Sequence, residues 1–287
     1  QAVTLYNQWK KAYVGGKSQK YVKNNNGSGA TYVTSEGQGY GMLATVLAAK
    51  KGANTHTIYN QMYAYYRAHR ISSKDALMTW RQASRSGKLK SVGSEKNSAT
   101  DGDLDIAYSL ILADKKWGSK KTNYKAAAKT LLKAIKKREI NTTTYLPKMG
   151  NWATSSYDKS KLRTSDLMTG YFKTFASYTK DSTWTKVAKQ SQVAVKKLSA
   201  RHKSGLFPDF IKVTGKSIKL SAFKAYQIEI AQDDEYGYNA CRVPWRLAQT
   251  YKISKDSVTK NALKKQLNFF NKRKKITAVY TLTGRAV

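Results

Sequence analysis

One pattern limits this chain more than any other: a pair of helices, differently coloured, written four times. "YGMLATVLAAKKGANTHTIYNQMYAYYRAHR" reads as an apolar helix, a Gly turn and an amphipathic helix, and "GDLDIAYSLILADKKWGSKKTNYKAAAKTLLKAIKKR" repeats it. "SDLMTGYFKTFASYTKDSTWTKVAKQSQVAVKKLSAR" and "YNACRVPWRLAQTYKISKDSVTKNALKKQLNFFNKRKK" do so again. The starts are unevenly spaced, which excludes a short-period solenoid. In the first helix of a pair apolar residues fall nearly all round, as with Leu104, Ile106, Ala107, Tyr108, Leu110, Ile111 and Leu112; such a helix is buried on every side. In the second, Tyr124, Ala128, Leu131, Leu132 and Ile135 make one face, and Lys125, Lys129, Lys133, Lys136 and Lys137 the other. Alternating buried and one-faced helices make two layers, so the expected fold is all-α, a closed toroid of helical hairpins. Pro147 and Pro208, two of only 3 prolines, fall between these helices. No linker divides the chain, and 287 residues is an ordinary length for one barrel, so a single domain over 1–287 is expected. "QAVTLYNQWKKAY" reads as a further helix with Val3, Tyr6, Trp9 and Tyr13 on one face. "ITAVYTLTG" near the end is β-prone and allows a short strand.

The acids are where chemistry is to be sought, because they are scarce: Asp+Glu 17 against Lys+Arg 53. Glu36, then Asp101 and Asp103, then Asp166, then Asp233, Asp234 and Glu235 come just before the first helices of the pairs. If the hairpins run in the same sense, these loops share one rim. Each group has a plain reading and a chemical one. Glu36 in "SEGQGYGM" is a helix-start acid behind Ser35, stabilised by the helix dipole. It is equally a general acid, if Gly37, Gly39 and Gly41 let a flat ligand approach the backbone and Tyr40 and Met42 raise its pKa. Asp101 in "ATDGDLDIAYSLILA" is a helix cap, yet Asp103 and Asp105 follow so closely that repulsion argues for a further reason. In "RTSDLM", capping accounts for Ser165 and Asp166, beside Arg163. In "QDDEYGYNACRVPWRLA" a solvated acidic turn is the plain reading. Tyr236, Tyr238 and Trp245 beside the carboxylates also suit sugar rings, with Arg242 and Arg246 offsetting the charge.

Other chemistries fail on spacing. His56, His69 and His202 lie far apart without metal-ligand spacing. "TGKS" at 214–217 has Phe210 where a phosphate loop needs its first Gly. Cys241 is the only cysteine and has no His nearby in sequence. No cofactor and no metal is expected. Carboxylates with aromatics remain, and they point to glycoside hydrolysis.

The formal net charge of +36 favours polyanions. Its lysines are spread through nearly every segment, a solvated coat rather than a nucleic-acid reading head, and an anionic bacterial cell wall suits it as well. No stretch approaches about 18 uninterrupted apolar residues, so no membrane span is expected. With no initiator Met and no apolar leader, a processed N-terminus, and hence a secreted, monomeric bacterial protein, is the expectation.

"SEGQGYGMLATVLAA", "ATDGDLDIAYSLILADKKWG", "RTSDLMTGYFKTF", "GLFPDF" and "YNACRVPWRLA" stand in the order found in glycoside hydrolase family 8, which the chain resembles from about Trp9 to Gly284. The resemblance implies an (α/α)6 barrel and an inverting endo-hydrolase of β-1,4-linked or mixed-linkage glucans, xylan or chitosan. It makes Glu36 the general acid and gives Asp101 the distorted sugar and the water. Trp80 in "LMTWR" and Tyr171 look like stacking platforms, and Arg81, Asp103, Tyr40, Asp166, Tyr238, Asn239, Arg242 and Trp245 complete the implied substrate contacts. Many members carry an Asp base where this chain has Asn239, which cannot accept the proton. A subgroup resembling lichenases and chitosanases also has Asn there and takes its base, a Glu, from an upstream loop. In "SAFKAYQIEIAQDDEYGYN" that is Glu229, between Ile228 and Ile230, with Asp234 and Glu235 as alternatives. A chain lacking a working base would be a non-catalytic polysaccharide- or polyanion-binding protein. Chitosan is a polycation that +36 repels, so a neutral β-1,4 or β-1,3-1,4 glucan is the expected substrate and chitosan the alternative.

Overall fold

The structure is a computed structural model that describes residues 1–25 and 29–287. Among these residues are ten α-helices: α1 (Ala2–Tyr13), α2 (Ser35–Lys50), α3 (His56–Ala68), α4 (Thr100–Trp117), α5 (Tyr124–Arg138), the short α6 (Ser156–Ser160), α7 (Thr169–Thr179), α8 (Ser182–Arg201), α9 (Val243–Ser254) and α10 (Ser257–Asn271). The four expected hairpins are α2–α3, α4–α5, α7–α8 and α9–α10. Contacts divide the chain into two compact units, Gln1–Glu139 with Gly150–Trp152, and Ile140–Met149 with Ala153–Val287.

In the first unit α4 is buried from Thr100 to Ala107 and again from Ser109 to Ala113. Each Leu or Ile it removes from water is worth about 1.5–3 kcal/mol. Its partner α5 buries Tyr124, Ala128, Leu131, Leu132 and Ile135 and leaves its lysine face to solvent, the division its sequence dictates. α2 packs on α4 through glycine. A Cβ at Gly39 would lie 2.9 Å from Asp105 Cβ and 3.0 Å from the Gly102 carbonyl, and one at Gly41 would lie 2.4 Å from Val22 Cγ2. These glycines sit inside α2, and what comes close to them is protein, not ligand; the expectation that they bare the backbone to a substrate is corrected accordingly. At Gly37 the space is taken by the side chains of Asn24 and Thr34.

Short antiparallel strands fill the connections. In the first unit β1 (Val14–Gly15) pairs with β2 (Tyr21–Val22). β3 (Tyr32–Thr34) pairs with β6 (Arg81–Arg85) and β6 with β7 (Lys88–Lys90), while β4 (Arg70–Ser72) pairs with β5 (Asp75–Met78). β3 runs directly into α2 and β5 leads through Trp80 into β6, so these strands aim the start of α2 and the Trp80 segment. In the second unit β8 (Lys161–Arg163), β9 (Phe210–Thr214) and β10 (Lys219–Ser221) form one sheet, and 215–218, the last three residues of "TGKS" among them, make its tight turn. This unit's core gathers Leu162, Leu167, Val195, Leu198, Phe207, Ile211, Val243 and Leu247. The β-prone tail forms isolated bridges, Tyr236 to Tyr280 and Tyr280 to Ala286, rather than a strand. Pro244 falls in the first turn of α9, where its missing N–H costs nothing.

Candidate functional site

In the first unit, Glu36 is the second residue of α2, not part of a preceding loop, and the same holds for Asp101 and Asp103 in the first turn of α4. Strand β3 ends in Thr34, whose hydroxyl accepts the Gly37 N–H at 3.1 Å, so Thr34 rather than Ser35 is the cap. Glu36 is half-buried, and the Tyr40 hydroxyl, one helical turn on, donates to its Oε1 at 2.9 Å. The expected apolar wall is thus in part a hydrogen-bond donor. Ser35 donates its backbone N–H to the Trp80 carbonyl at 2.9 Å. Gly102, next to Asp101, presses on the same point: a Cβ there would be 2.5 Å from Ser35 C and 2.7 Å from Glu36 N. The starts of α2 and α4 therefore touch backbone to backbone, bringing Glu36, Asp101 and the Trp80 segment together.

Asp101 is buried and its Oδ1 accepts the Gly102 N–H at 2.9 Å; the cap position of α4 belongs to Ala99. Trp80 is half-buried, its indole N–H donating to the Ser94 carbonyl at 3.1 Å. Arg81 lies 3.4 Å from Glu95, shared with Arg85 at 2.9 Å, and its guanidinium stands 4.9 Å from the Tyr32 ring centre. These two arginines, chiefly through the Arg85 hydrogen bond, hold the Glu95 carboxyl below its usual range. Asp103, expected to touch substrate, is fully buried and has no surface to offer a sugar. Its Oδ1 accepts the Met78 N–H at 2.9 Å, and burial, then the Glu139 charge, pushes it well above the ordinary carboxylate range.

In the second unit Asp166 and Tyr171 are also buried, so neither offers a face to a sugar. The Tyr171 ring packs on Phe175, and the Arg246 guanidinium lies 5.6 Å from it and 3.9 Å from the Trp245 ring centre. Ser165 and Asp166 belong to a 3-10 turn, and α7 begins later, at Thr169 with no side-chain cap, so the capping reading fails there. Arg242 donates to Asn239 Oδ1 at 2.7 Å and to Ser165 Oγ at 3.3 Å. Tyr238 and Trp245 remain in reach of a ligand, 60% and 38% exposed.

Glu229 lies in a turn. It is exposed, with Oε1 3.2 Å from Arg163, which also lies 3.9 Å from Asp166. Asp233 shapes this turn: fully buried, its carboxylate accepts the N–H groups of Ile228, Glu229 and Ile230 at 2.5–3.1 Å. A solvated acidic turn is therefore wrong for Asp233. Asp234 and Glu235 stay half-buried, and burial and the Asp234 charge raise Glu235 against the pull of Arg285. Asp209, within "GLFPDF", carries a role the sequence did not single out. Fully buried, it accepts the N–H groups of Gly237, Asn239 and Ala240 at 3.0, 3.1 and 2.6 Å and so fixes the Asn239 backbone. Glu139 was likewise missed. In both cases the partners are far along the chain, and no local spacing signals them.

The model for glycosyl hydrolases family 8 matches residues 1–287. A β-glucanase of Niallia circulans is 38% identical over 264 residues, 90% of this chain and 62% of that protein. An endoglucanase of Bacillus sp. (strain KSM-330) is 37% identical over 269 residues, 86% of this chain and 54% of that one. The chain thus spans less than two thirds of the length of these relatives. The apo structure of a β-1,3-1,4-glucanase from Paenibacillus sp. X4 superposes with TM-score 0.89 and 36% identity, covering 100% of this chain and 76% of that one. The endo-β-1,4-glucanase CMCax from Acetobacter xylinum shares the fold at TM-score 0.75, with 21% identity over 99% of this chain and 82% of its own. The fold class is the all-α (α/α)6 barrel that the family resemblance implied. The chain belongs to glycosyl hydrolases family 8.

Proposed function

We propose that the chain hydrolyses β-glucan within the polymer, at β-1,4 or mixed β-1,3-1,4 links, as a secreted enzyme. Glu36 protonates the glycosidic oxygen, the bond from that oxygen to C1 breaks, and water enters C1 from the opposite face. A second carboxylate takes the water's proton. The net change is one water added and one bond cut, with inversion at C1.

The observation that carries this reading is the placing of Glu36. It is half-buried, directed by the Tyr40 hydroxyl, and fastened through Ser35 and Gly102 to the segments bearing Trp80 and Asp101. A general acid needs such fixed geometry together with access to its substrate. Asp101 beside it holds the distorted sugar and helps place the water. Glu229 is the proposed base, carried on a turn that Asp233 shapes and that Arg163 tethers; Asp234 and Glu235 are the alternatives. Tyr238 and Trp245 supply aromatic surface for sugar rings. The names of the relatives, β-glucanase, endoglucanase and β-1,3-1,4-glucanase, support glucan over chitosan. So does +36, which opposes a polycation. The same charge supports electrostatic association with an anionic cell wall. Among the described residues no helix is long and apolar enough to cross a membrane.

Reducing-sugar release from lichenan, carboxymethyl cellulose, xylan and chitosan, side by side, tests the proposal. Release from lichenan or the cellulose derivative is expected. Salt-sensitive binding of polyanions with no hydrolysis of any of the four would refute it.

A further inference from the structure

Beneath the Glu36–Asp101 corner lies a second pair of acids that the reaction does not use. Asp103 and Glu139 are both fully buried, one in the first turn of α4 and the other closing the C-terminal end of α5. The Glu139 carboxyl acts on Asp103 from the end of α5, and Asp103 Oδ2 is buried with no donor beside it. An ionised carboxylate only accepts hydrogen bonds, so two carboxyls that meet away from water can bond to each other only with a proton on one. Each also grips a different segment beside Trp80. Asp103 Oδ1 accepts the Met78 N–H at 2.9 Å. Glu139 Oε1 accepts the Ser98 hydroxyl at 2.6 Å, and Ser98 Oγ in turn accepts the Asn151 N–H at 3.0 Å.

Met78 and Ser98 flank the candidate aromatic platform on its two sides. Met78 is two residues before Trp80, and Asn97, next to Ser98, accepts the Trp80 N–H at 2.7 Å. The Trp80 carbonyl then receives the N–H of Ser35, the residue before Glu36. The acid pair thus ends a continuous chain of hydrogen bonds and peptide links that begins at the proposed general acid.

We propose that Asp103 and Glu139 share one proton and act as a positioning clasp, holding the Met78–Trp80 and Asn97–Ser98 segments together so that Glu36 keeps its reacting geometry. The positioning half of this inference rests on the proposed hydrolysis; the shared proton does not. The groups facing Asp103 are Glu139 from the end of α5, Asp101 from its own helix, and Tyr66 from α3, with Arg70 and Asp75 acting on Tyr66 from β4 and β5. No cation is among the causes acting on Asp103 itself, and burial and the Glu139 charge both favour the protonated form.

Three variants test the clasp: Asp103→Asn, Glu139→Gln and Asp103→Ala. Asn keeps the acceptor for Met78 and gives Glu139 an N–H donor without needing a proton; Gln does the same for the other partner. Ala removes both. In turnover on lichenan, Asp103→Ala is expected to lose kcat by about 10²-fold, the scale of a misplacement near 1 Å, with KM changed less than kcat. Asp103→Asn should recover kcat to within about threefold of the parent. Equal kcat in parent and Ala variants, or an Asn variant as poor as Ala, would overturn the positioning role.

The proton is read without substrate, from the thermal midpoint between pH 5 and 8. A folded protein that keeps a proton its unfolded chain releases loses stability as pH rises above the unfolded pKa, until the raised folded pKa is passed. The parent should therefore lose a few degrees more than Asp103→Asn or Glu139→Gln for each pH unit. Identical slopes in all three would overturn the shared proton, whether or not Asp103→Ala folds. A parent inactive on every glucan would overturn the proposed reaction and with it the positioning role, while the midpoint slopes would still decide the proton.

Discussion

Gly102→Ala is the substitution for which the packing of α2 on α4 gives the sharpest expectation. A methyl group there would stand 2.5 Å from Ser35 C and Ser35 Oγ and 2.7 Å from Glu36 N. An ordinary van der Waals contact begins near 3.4 Å, so the start of α2 must retreat by about 0.9 Å from α4. Two of the three obstructing atoms are backbone, so no side-chain rotation relieves the clash. Overpacking of this kind costs about 1–3 kcal/mol. Ala in a helix returns about 1 kcal/mol relative to Gly. The net loss of stability is then about 0–2 kcal/mol, a few degrees at most in the thermal midpoint of a chain this long. Catalysis should suffer far more, because the retreating segment carries Glu36, and a misplacement of 1 Å can cost about 10²-fold. The expected result is a folded protein, with a near-parental melting curve and circular dichroism, whose kcat on lichenan falls by about two orders of magnitude. A Gly102→Ala variant with parental kcat would refute the claim that this backbone contact sets the position of the acid. A variant that loses activity only in proportion to its unfolding would refute it too.

Glu36→Gln should abolish hydrolysis while leaving the melting curve and oligosaccharide binding largely intact, since a general acid contributes about 10²–10⁴-fold; near-parental turnover on an unactivated glucan would make Glu36 structural. Fresh product followed by proton NMR should show the α-anomer first, from acid and base about 6.5–9.5 Å apart; β-anomer first would mean retention. Glu229→Ala should lose turnover and keep binding, with Asn239→Ala affected less. Should activity instead vanish with Asp234→Ala or Glu235→Ala, the base lies in the triplet. Retention on a cation-exchange matrix or on purified cell wall should fall steeply with salt, because the charge is spread over outer helix faces; retention independent of salt would sink the electrostatic account.

The hairpins were legible because burial leaves a direct trace in sequence. α4 is apolar on every side and α5 on one, and each is buried accordingly. The corner formed by Glu36 and Asp101 was legible for a different reason, as motifs whose acids stand out in a chain so poor in them. What could not be read was which acids face a ligand and which face the core. Asp103 follows Asp101 by two residues, and at 100° per residue it points to the other side of α4, where Met78 holds it. Asp209, Asp233 and Glu139 bind backbone amides or partners that the fold alone brings near. The glycines misled for a related reason. Their spacing promised an open backbone, but what they admit is protein: α4 at Gly39, Val22 at Gly41, and the side chains of Asn24 and Thr34 at Gly37.

The division of charge in this molecule also makes it chemically separable. Asp103, Asp105, Glu139, Asp166, Asp209 and Asp233, six of its 17 acids, are buried to within 1% of their surface, whereas the lysines of the α5 coat stand in solvent. Amine-directed acylation with succinic anhydride would therefore invert the sign of the exterior while leaving those interior carboxyls untouched. The coat could be rewritten as a reagent-controlled layer, for immobilisation or for changing which surfaces the protein wets, without redesigning a single residue that the fold depends on.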